Sequence, residues 1–402
     1  MPNAIFFDDG AGRDQAELGP LTDLRSSFDI RTGALTTIQR WLRALTVTKF
    51  SILPRTELSA LAHESHPRAV APADLPNGST FVINGRCVLP TAKLRSLPMG
   101  TTLHDAHGDL VVGHAPDVST ALAMMQYTGT ADPTGVLLRR PWNVRTHRDA
   151  CLAFDQPLIA QGMGLQPSSS VAAPYGVIAM GDKGLAVSKS ATVSPGVILD
   201  SQHGPISIDD HAVIRPGAIL IGPCYVGPHS TVLERATIRQ GTCIGPWCKV
   251  NGEVGGTIFQ GYSNKAHDGY IGDSFVGEWA NLGAGTTGSN LLNTYGEIIS
   301  KATPDAKNER TGEQFFGAVI GDHVKTAICT RLMTGSVLGT GGMFATTAPV
   351  TGSTPRFAWA TDAGLKSYRA DKFLEVMRAA MARRKIEPSP AYVARMTALI
   401  PS

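Results

Sequence analysis

The chain has 402 residues, enough for two domains with real cores, and 43% of them are hydrophobic against 17% charged. A formal charge of +3 is too small to argue for nucleic acid, and no run approaches the ~18 apolar residues of a membrane span. The opening MPNAIFFDDGAGRD has neither a basic start nor a long apolar stretch, so no signal peptide is expected. Six cysteines without a CxxC pair argue against a zinc ribbon or disulfide framework and for a reducing, cytoplasmic setting.

Over residues 1–180, short apolar runs at 4–7, 50–53, 80–83 and 110–112 alternate with helical patterns such as 34–45 and 118–126. Such alternation predicts an α/β sheet. Gly10, Gly12 and Arg13 follow the first run, and Arg25 and Arg31 add positive charge downstream. A glycine loop with cations suits a phosphate, because its backbone N–H groups approach oxygens closely; alone, the pattern is also that of a plain turn.

From residue 208 the period changes. Ile208, Ile214, Leu220, Val226, Val232, Ile238, Ile244 and Val250 stand six apart. Four residues after each comes a slim one: Ala212, Ala218, Cys224, Ser230, Ala236, Thr242, Cys248 and Val254. Six fits neither an α-helix nor an alternating strand, but it fits a hexapeptide β-helix. There the aliphatic residue fills a triangular prism and the slim one turns the corner. Val187, Val193 and Leu199 precede the series; Tyr270, Val276, Leu282 and then Ile320, Thr326, Leu332, Leu338 and Phe344 resume it. The solenoid is thus expected over about 181–350, with insertions at 252–268 and 288–318. After Pro355 the pattern turns helical, which predicts a short cap over 351–402.

Residues 263–290, SNKAHDGYIGDSFVGEWANLGAGTTGSN, are far more polar than a plain coil requires. His267 falls where the rhythm restarts, so it is expected beside a corner, where an imidazole can take a proton from an amine or hydroxyl. Lys265 is placed to hold an anion, and Asn281 and Asn290 to fix hydroxyls or an amide; all four are equally readable as solvated corner residues.

This segment resembles the acetyltransferase half of the GlmU family, bifunctional uridyltransferases and glucosamine-1-phosphate acetyltransferases. Lys265-Ala266-His267, Tyr270, Asn281, Gly283-Ala284-Gly285-Thr286 and Asn290 carry the likeness; Leu291 stands where a tyrosine is often found. The resemblance implies a left-handed, trimeric β-helix with His267 as general base and Lys265 on a sugar phosphate. It also implies Tyr270, Asn281 and Asn290 in an amino-sugar pocket, and acetyl-CoA along Ala327, Thr330 and Ser336. The start of the chain, with Pro20-Leu21-Thr22 after the glycine loop, is similar to a diverged sugar nucleotidyltransferase. That implies UTP bound by Gly10, Gly12, Arg13 and Arg25, with Mg²⁺ if the domain is active, although Val82-Ile83-Asn84-Gly85-Arg86 offers no aspartate for the metal. The expectation is an acetyl-CoA-dependent N-acetyltransferase acting on an amino-sugar phosphate, coupled to uridylyl transfer and assembled as a homotrimer. Two rivals share the architecture: a silent regulatory or scaffold subunit, and a zinc hydratase using His211 and His229, which stand 18 residues apart.

Overall fold

Alternate residues of the strand Asn3–Phe7 (β1) point into two different cores, as a central parallel strand requires. Ala4 and Phe6 pack with Ile38 and Trp41 on one side, while Ile5 and Phe7 pack with Ala121 and Met124 on the other. The computed structural model describes residues 1–10, 17–127, 129, 132, 136–165 and 175–401. β1 lies between Phe50–Leu53 (β2) and Thr80–Asn84 (β3), both parallel to it. Thr101–His104 (β4) and Leu110–Ala115 (β5) complete the order β2-β1-β3-β5-β4 with antiparallel pairings. Helices α1 (Thr37–Ala44) and α2 (Ser59–Ser65) fall in the connections between parallel strands, and α3 (Ala92–Arg95) and α4 (Val118–Met124) flank the antiparallel pair. Thr36 and Gln39 close a capping box at the start of α1.

The second unit is a parallel β-helix of about ten turns, wound left-handed. One face stacks eight strands, from Leu185–Val187 to Ser336–Leu338. All eight aliphatic residues of the main series, 208 to 250, lie in its core, and all eight slim ones are fully buried. The six-residue reading failed at Tyr270. The register there pairs Val254 with Ile271, so Ile271 fills the prism and Tyr270 points outward. Residues 252–268 are also not an insertion. Strands Glu253–Gly255, Ile258–Phe259 and Asn264–Lys265 continue the coil, and its corners have lost residues: Cys243 pairs with Ile258, where Tyr225 pairs with Cys243. The excursion at 288–318 is real and contains the antiparallel pair Ile299–Ser300 and Glu309–Arg310.

Helix α5 (Asn143–Gly162) packs on the coil: Arg148 donates to the Gly256 carbonyl at 2.6 Å and to Asp273 at 2.7 Å, and Gln156 donates to the Cys224 carbonyl at 2.9 Å. The first compact unit comprises residues 1–30, 35–143 and 390–396, and α5 from Val144 onward belongs to the second. Helix α6 (Ala370–Ala382) belongs to the solenoid unit. In α7 (Pro390–Leu399), residues Pro390–Met396 belong to the first, so the expected single cap over 351–402 is divided between them.

One corner of the coil carries stacked rings: His211, His229, Trp247, Tyr262, Trp279 and His323. All six sit at positive φ, between 54° and 60°, a conformation costly for bulky side chains. Ring-on-ring packing, worth ~0.5–1.5 kcal/mol per pair, offsets part of that strain.

Candidate active site

On the second face, ladder register brings four polar residues into one column. Lys249 pairs with Asn264, Asn264 with Asn281, and Asn281 with Lys325. The alternate positions, Val250 and Lys265, point inward, so the column faces out. At ~4.8 Å per rung it is about 14 Å long. A cavity of about 560 Å³ opens over it, walled by His267 and the aromatic pair Tyr262–Trp279, whose ring centroids are 4.6 Å apart. Arg383 and Arg384, just past the end of α6, close another side. Arg384 reaches down to Asn264 Oδ1 at 2.8 Å.

His267 and Asn281, both expected in the site, thus line the same cavity. The His267 ring is exposed and, among the described residues, makes no hydrogen bond, which leaves both nitrogens for a substrate. Lys265 does something different from what was expected. It is 1% exposed, and its ammonium donates to the carbonyls of Asn251 (3.1 Å), His267 (2.8 Å) and Asp268 (3.0 Å). Three donors meet three acceptors, leaving none for a sugar phosphate. Burial pushes this lysine down to about 8, against a smaller opposing pull from Asp268. Its role is to pin the turn that carries His267.

Tyr270 and Asn290 are adjacent to each other, but neither lines this cavity. Asn290 donates to Asp273 at 2.7 Å, and burial together with Asp273 holds the Tyr270 phenol above its ordinary range. The proposed acetyl-CoA contacts also divide. Ala327 is half-buried, but Thr330 spends its hydroxyl on the Ala327 carbonyl at 2.9 Å, and fully buried Ser336 bonds the Met333 carbonyl at 2.6 Å. These two hydroxyls serve the corners and are closed to a pantetheine arm.

In the first unit, Gly12 and Arg13 lie outside the described residues. Gly10 takes φ +68° and donates its N–H to Asp8 at 3.1 Å, a turn that suits glycine. Arg25 is buried and donates to the Leu21 carbonyl at 3.1 Å, whereas Arg31 belongs to the second unit, where its Nε donates to the Gln260 carbonyl. The carboxylates near the ends of β1 and β5 are bound by arginines. Arg86, wholly buried, bridges Asp9 (2.6 Å) and Asp109 (2.9 Å); Arg139 pairs with Asp105, and Arg55 with Asp8 at 3.3 Å. Desolvation pulls the Arg86 guanidinium down, but Asp9 and Asp109 outweigh it and hold it above its ordinary value. Among the described residues no three His, Cys, Asp or Glu side chains are grouped to hold a metal. Asp9 and Asp109, carboxylates near the ends of β1 and β5, are already engaged by Arg86. His211 and His229 do stack one coil apart, at 4.9 Å, but the next rung is Trp247, so zinc finds no third ligand there.

Residues 4–163 match the family model described as sugar nucleotidyl transferase. Curated relatives are more distant. The chain is 30% identical over 125 residues to the bifunctional protein GlmU of Rippkaea orientalis, covering 30% of this chain and 26% of that protein. It is 32% identical over 132 residues to the GlmU of Gloeobacter violaceus, covering 32% and 25%. A bifunctional sugar-1-phosphate nucleotidylyltransferase/acetyltransferase of Sulfurisphaera tokodaii is 31% identical over 142 residues, covering 34% of each. The chain thus spans about a quarter to a third of the length of these relatives. The model match runs past the sheet and through α5, so the domain's sequence continues into a helix that packs on the solenoid. Among the described residues no helix is long and apolar enough to cross a membrane.

Sequence reasoning missed Lys249, Lys325, Arg383 and Arg384. Arg383 and Arg384 form a short run of charge at a helix end, and no spacing rule links residue 264 to residue 384.

Proposed function

We propose that the solenoid transfers the acetyl group of acetyl-CoA to the amine of an amino-sugar phosphate, one resembling glucosamine 1-phosphate. The observation that carries the reading is the exposed His267 ring on a cavity shared with Asn281 and a set of cations. The substrate amine attacks the thioester carbonyl carbon as its proton passes to a His267 nitrogen. Backbone N–H groups on the cavity wall stabilise the tetrahedral oxyanion, and the C–S bond then breaks to release CoA, whose thiolate takes up the proton. Asn281 orients the sugar, and Lys265 keeps the His267 turn in place. A homotrimer, with faces packed side by side, would bring Tyr270 and Asn290 of one copy towards the cavity of the next. The relative named as a bifunctional sugar-1-phosphate nucleotidylyltransferase/acetyltransferase supports this class of chemistry.

For the first unit, two readings follow. Uridylyl transfer from UTP, giving UDP-N-acetylglucosamine, is the reading favoured by the family match. A silent scaffold or regulatory domain is favoured by the arginines that occupy Asp8, Asp9, Asp105 and Asp109. Purified chain assayed separately for CoA release and for pyrophosphate release decides between them. CoA release without pyrophosphate, across several sugar phosphates, supports the scaffold; release of neither overturns the proposal.

A further inference from the structure

The cavity over the second face holds more positive charge than an amine acceptor needs. Lys249 and Lys325 stand at the two ends of the outward column, and Arg383 and Arg384 approach it from the end of α6. Among the described residues no aspartate or glutamate lines the cavity. Among the described residues none of the four cations is in an ion pair. Lys325 makes a single long hydrogen bond, 3.4 Å, to the His323 carbonyl, and Arg384 spends one N–H on Asn264. Four like charges around one concavity repel one another, whereas Arg86, Arg145 and Arg148 elsewhere in the chain each have a carboxylate partner. An uncompensated cluster of this kind is a site prepared for an anion brought by a ligand.

We infer that Lys325, Arg383 and Arg384, with Lys249, form the phosphate-binding half of the site and hold a phosphate monoester carried by the substrate. The inference rests on the amino-sugar phosphate reading above and supplies the residues that Lys265, turned inward, does not. A phosphate monoester fits better than a carboxylate. Its two charges and three acceptor oxygens match an ammonium together with guanidinium forks, and two neighbouring Asn side chains can meet the sugar hydroxyls. The arrangement also gives the C-terminal helix a purpose beyond covering the coil: α6 delivers two of the four cations.

Burial supports the assignment independently. It pushes Lys325 down to about 8, and the other titratable or charged groups lining the cavity are His267, Tyr262, Lys249, Arg383 and Arg384, with no carboxylate among the described residues. A bound dianion restores the proton, so binding near pH 8.5 should be accompanied by proton uptake.

The test uses full-length protein and inorganic phosphate, followed by calorimetry in buffers of different ionisation enthalpy. Wild type should bind phosphate and take up a fraction of a proton. Lys325→Met should abolish that uptake, and either Lys325→Met or the double change Arg383→Ala, Arg384→Ala should weaken binding by about 10- to 100-fold. Lys189→Met, which removes an exposed lysine elsewhere on the coil, should bind like wild type. Circular dichroism confirms that each variant is folded. Phosphate affinity unchanged in both site variants, or phosphate that fails to bind wild type at millimolar concentration, overturns the inference. Activity separates it from the underlying reading. If the enzyme acetylates amino sugars but the variants do not reduce its preference for phosphorylated over unphosphorylated acceptors, the phosphate site is wrong and the acetyl transfer stands. If phosphate binds as described and no amine is acetylated, the site stands and the acetyl transfer falls.

Discussion

Replacing Lys265 with methionine separates the two roles open to this residue. Methionine has nearly the same reach and no charge, so the prism stays filled while the carbonyls of Asn251, His267 and Asp268 lose their donor. Each orphaned carbonyl costs ~1–3 kcal/mol when dry. These three are partly buried, so the lower end applies, and removing a buried ammonium recovers some of the loss. A net destabilisation of ~2 kcal/mol follows, or about 4–8 °C in Tm for a unit of this size. Hydrogen exchange should rise most across residues 266–269, and acetyl transfer should fall through kcat, because the turn bearing His267 loosens. The affinity for inorganic phosphate should not change. The pH dependence has a definite sign. A lysine lowered from 10.5 to about 8 binds fewer protons folded than unfolded between those values, so stability rises with pH across that window. Lys265→Met should lose its share of that rise. An unchanged Tm together with weakened phosphate binding would refute this reasoning and return Lys265 to the role of a phosphate contact.

His267→Ala should lower acetyl transfer by ~10²–10⁴-fold, with the Tm nearly unchanged because no prism-filling side chain is lost; a rate equal to wild type ends histidine-based catalysis here. The affinity for an anionic substrate should fall as pH rises through about 8, where Lys325 loses its charge, and Lys325→Met should flatten that limb of the kcat/KM profile. Arg86→Ala leaves Asp9 and Asp109 facing each other without their shared cation, which should destabilise the first unit by ~3–5 kcal/mol in thermal melts. EDTA should leave the Tm of the wild-type chain unchanged. Mass measurement in solution should give a trimer; a monomer that still acetylates would show that one chain holds the whole site.

The prism was legible in the sequence because its rule is local. Six residues make one face, so Ile208 and Val250 announce the coil without knowledge of their neighbours. His267 and Asn281 were legible for a related reason: a polar cluster stands out against a regular apolar beat. The rule gave wrong answers where corners shorten. Between Tyr225 and Cys243 the coil is eighteen residues long, but between Cys243 and Ile258 it is fifteen. Counting by six across that change put Tyr270 in the prism in place of Ile271. A lysine in an inward slot is equally invisible to a hydrophobic pattern, because Lys265 earns its place through three carbonyls whose positions only the folded corner defines.

The cationic half of the cavity was illegible for a deeper reason. Lys249, Asn264, Asn281 and Lys325 are neighbours only by ladder register, and the excursion at 288–318 separates the last two by 44 positions in the chain. Arg384 joins them from 120 residues beyond Asn264. A solenoid turns distant positions into adjacent rungs, so its binding chemistry accumulates along columns while its folding signal runs along the chain. The pattern that identifies the fold therefore carries almost no information about the site. The informative quantity is charge per column, and on this column it is positive, outward-facing and unpaired. That leaves the C-terminal helix as the element on which specificity depends. A homologous coil with the same His267 turn but without Arg383 and Arg384 should acetylate amines with little preference for a phosphate, and grafting the two arginines onto it should restore that preference.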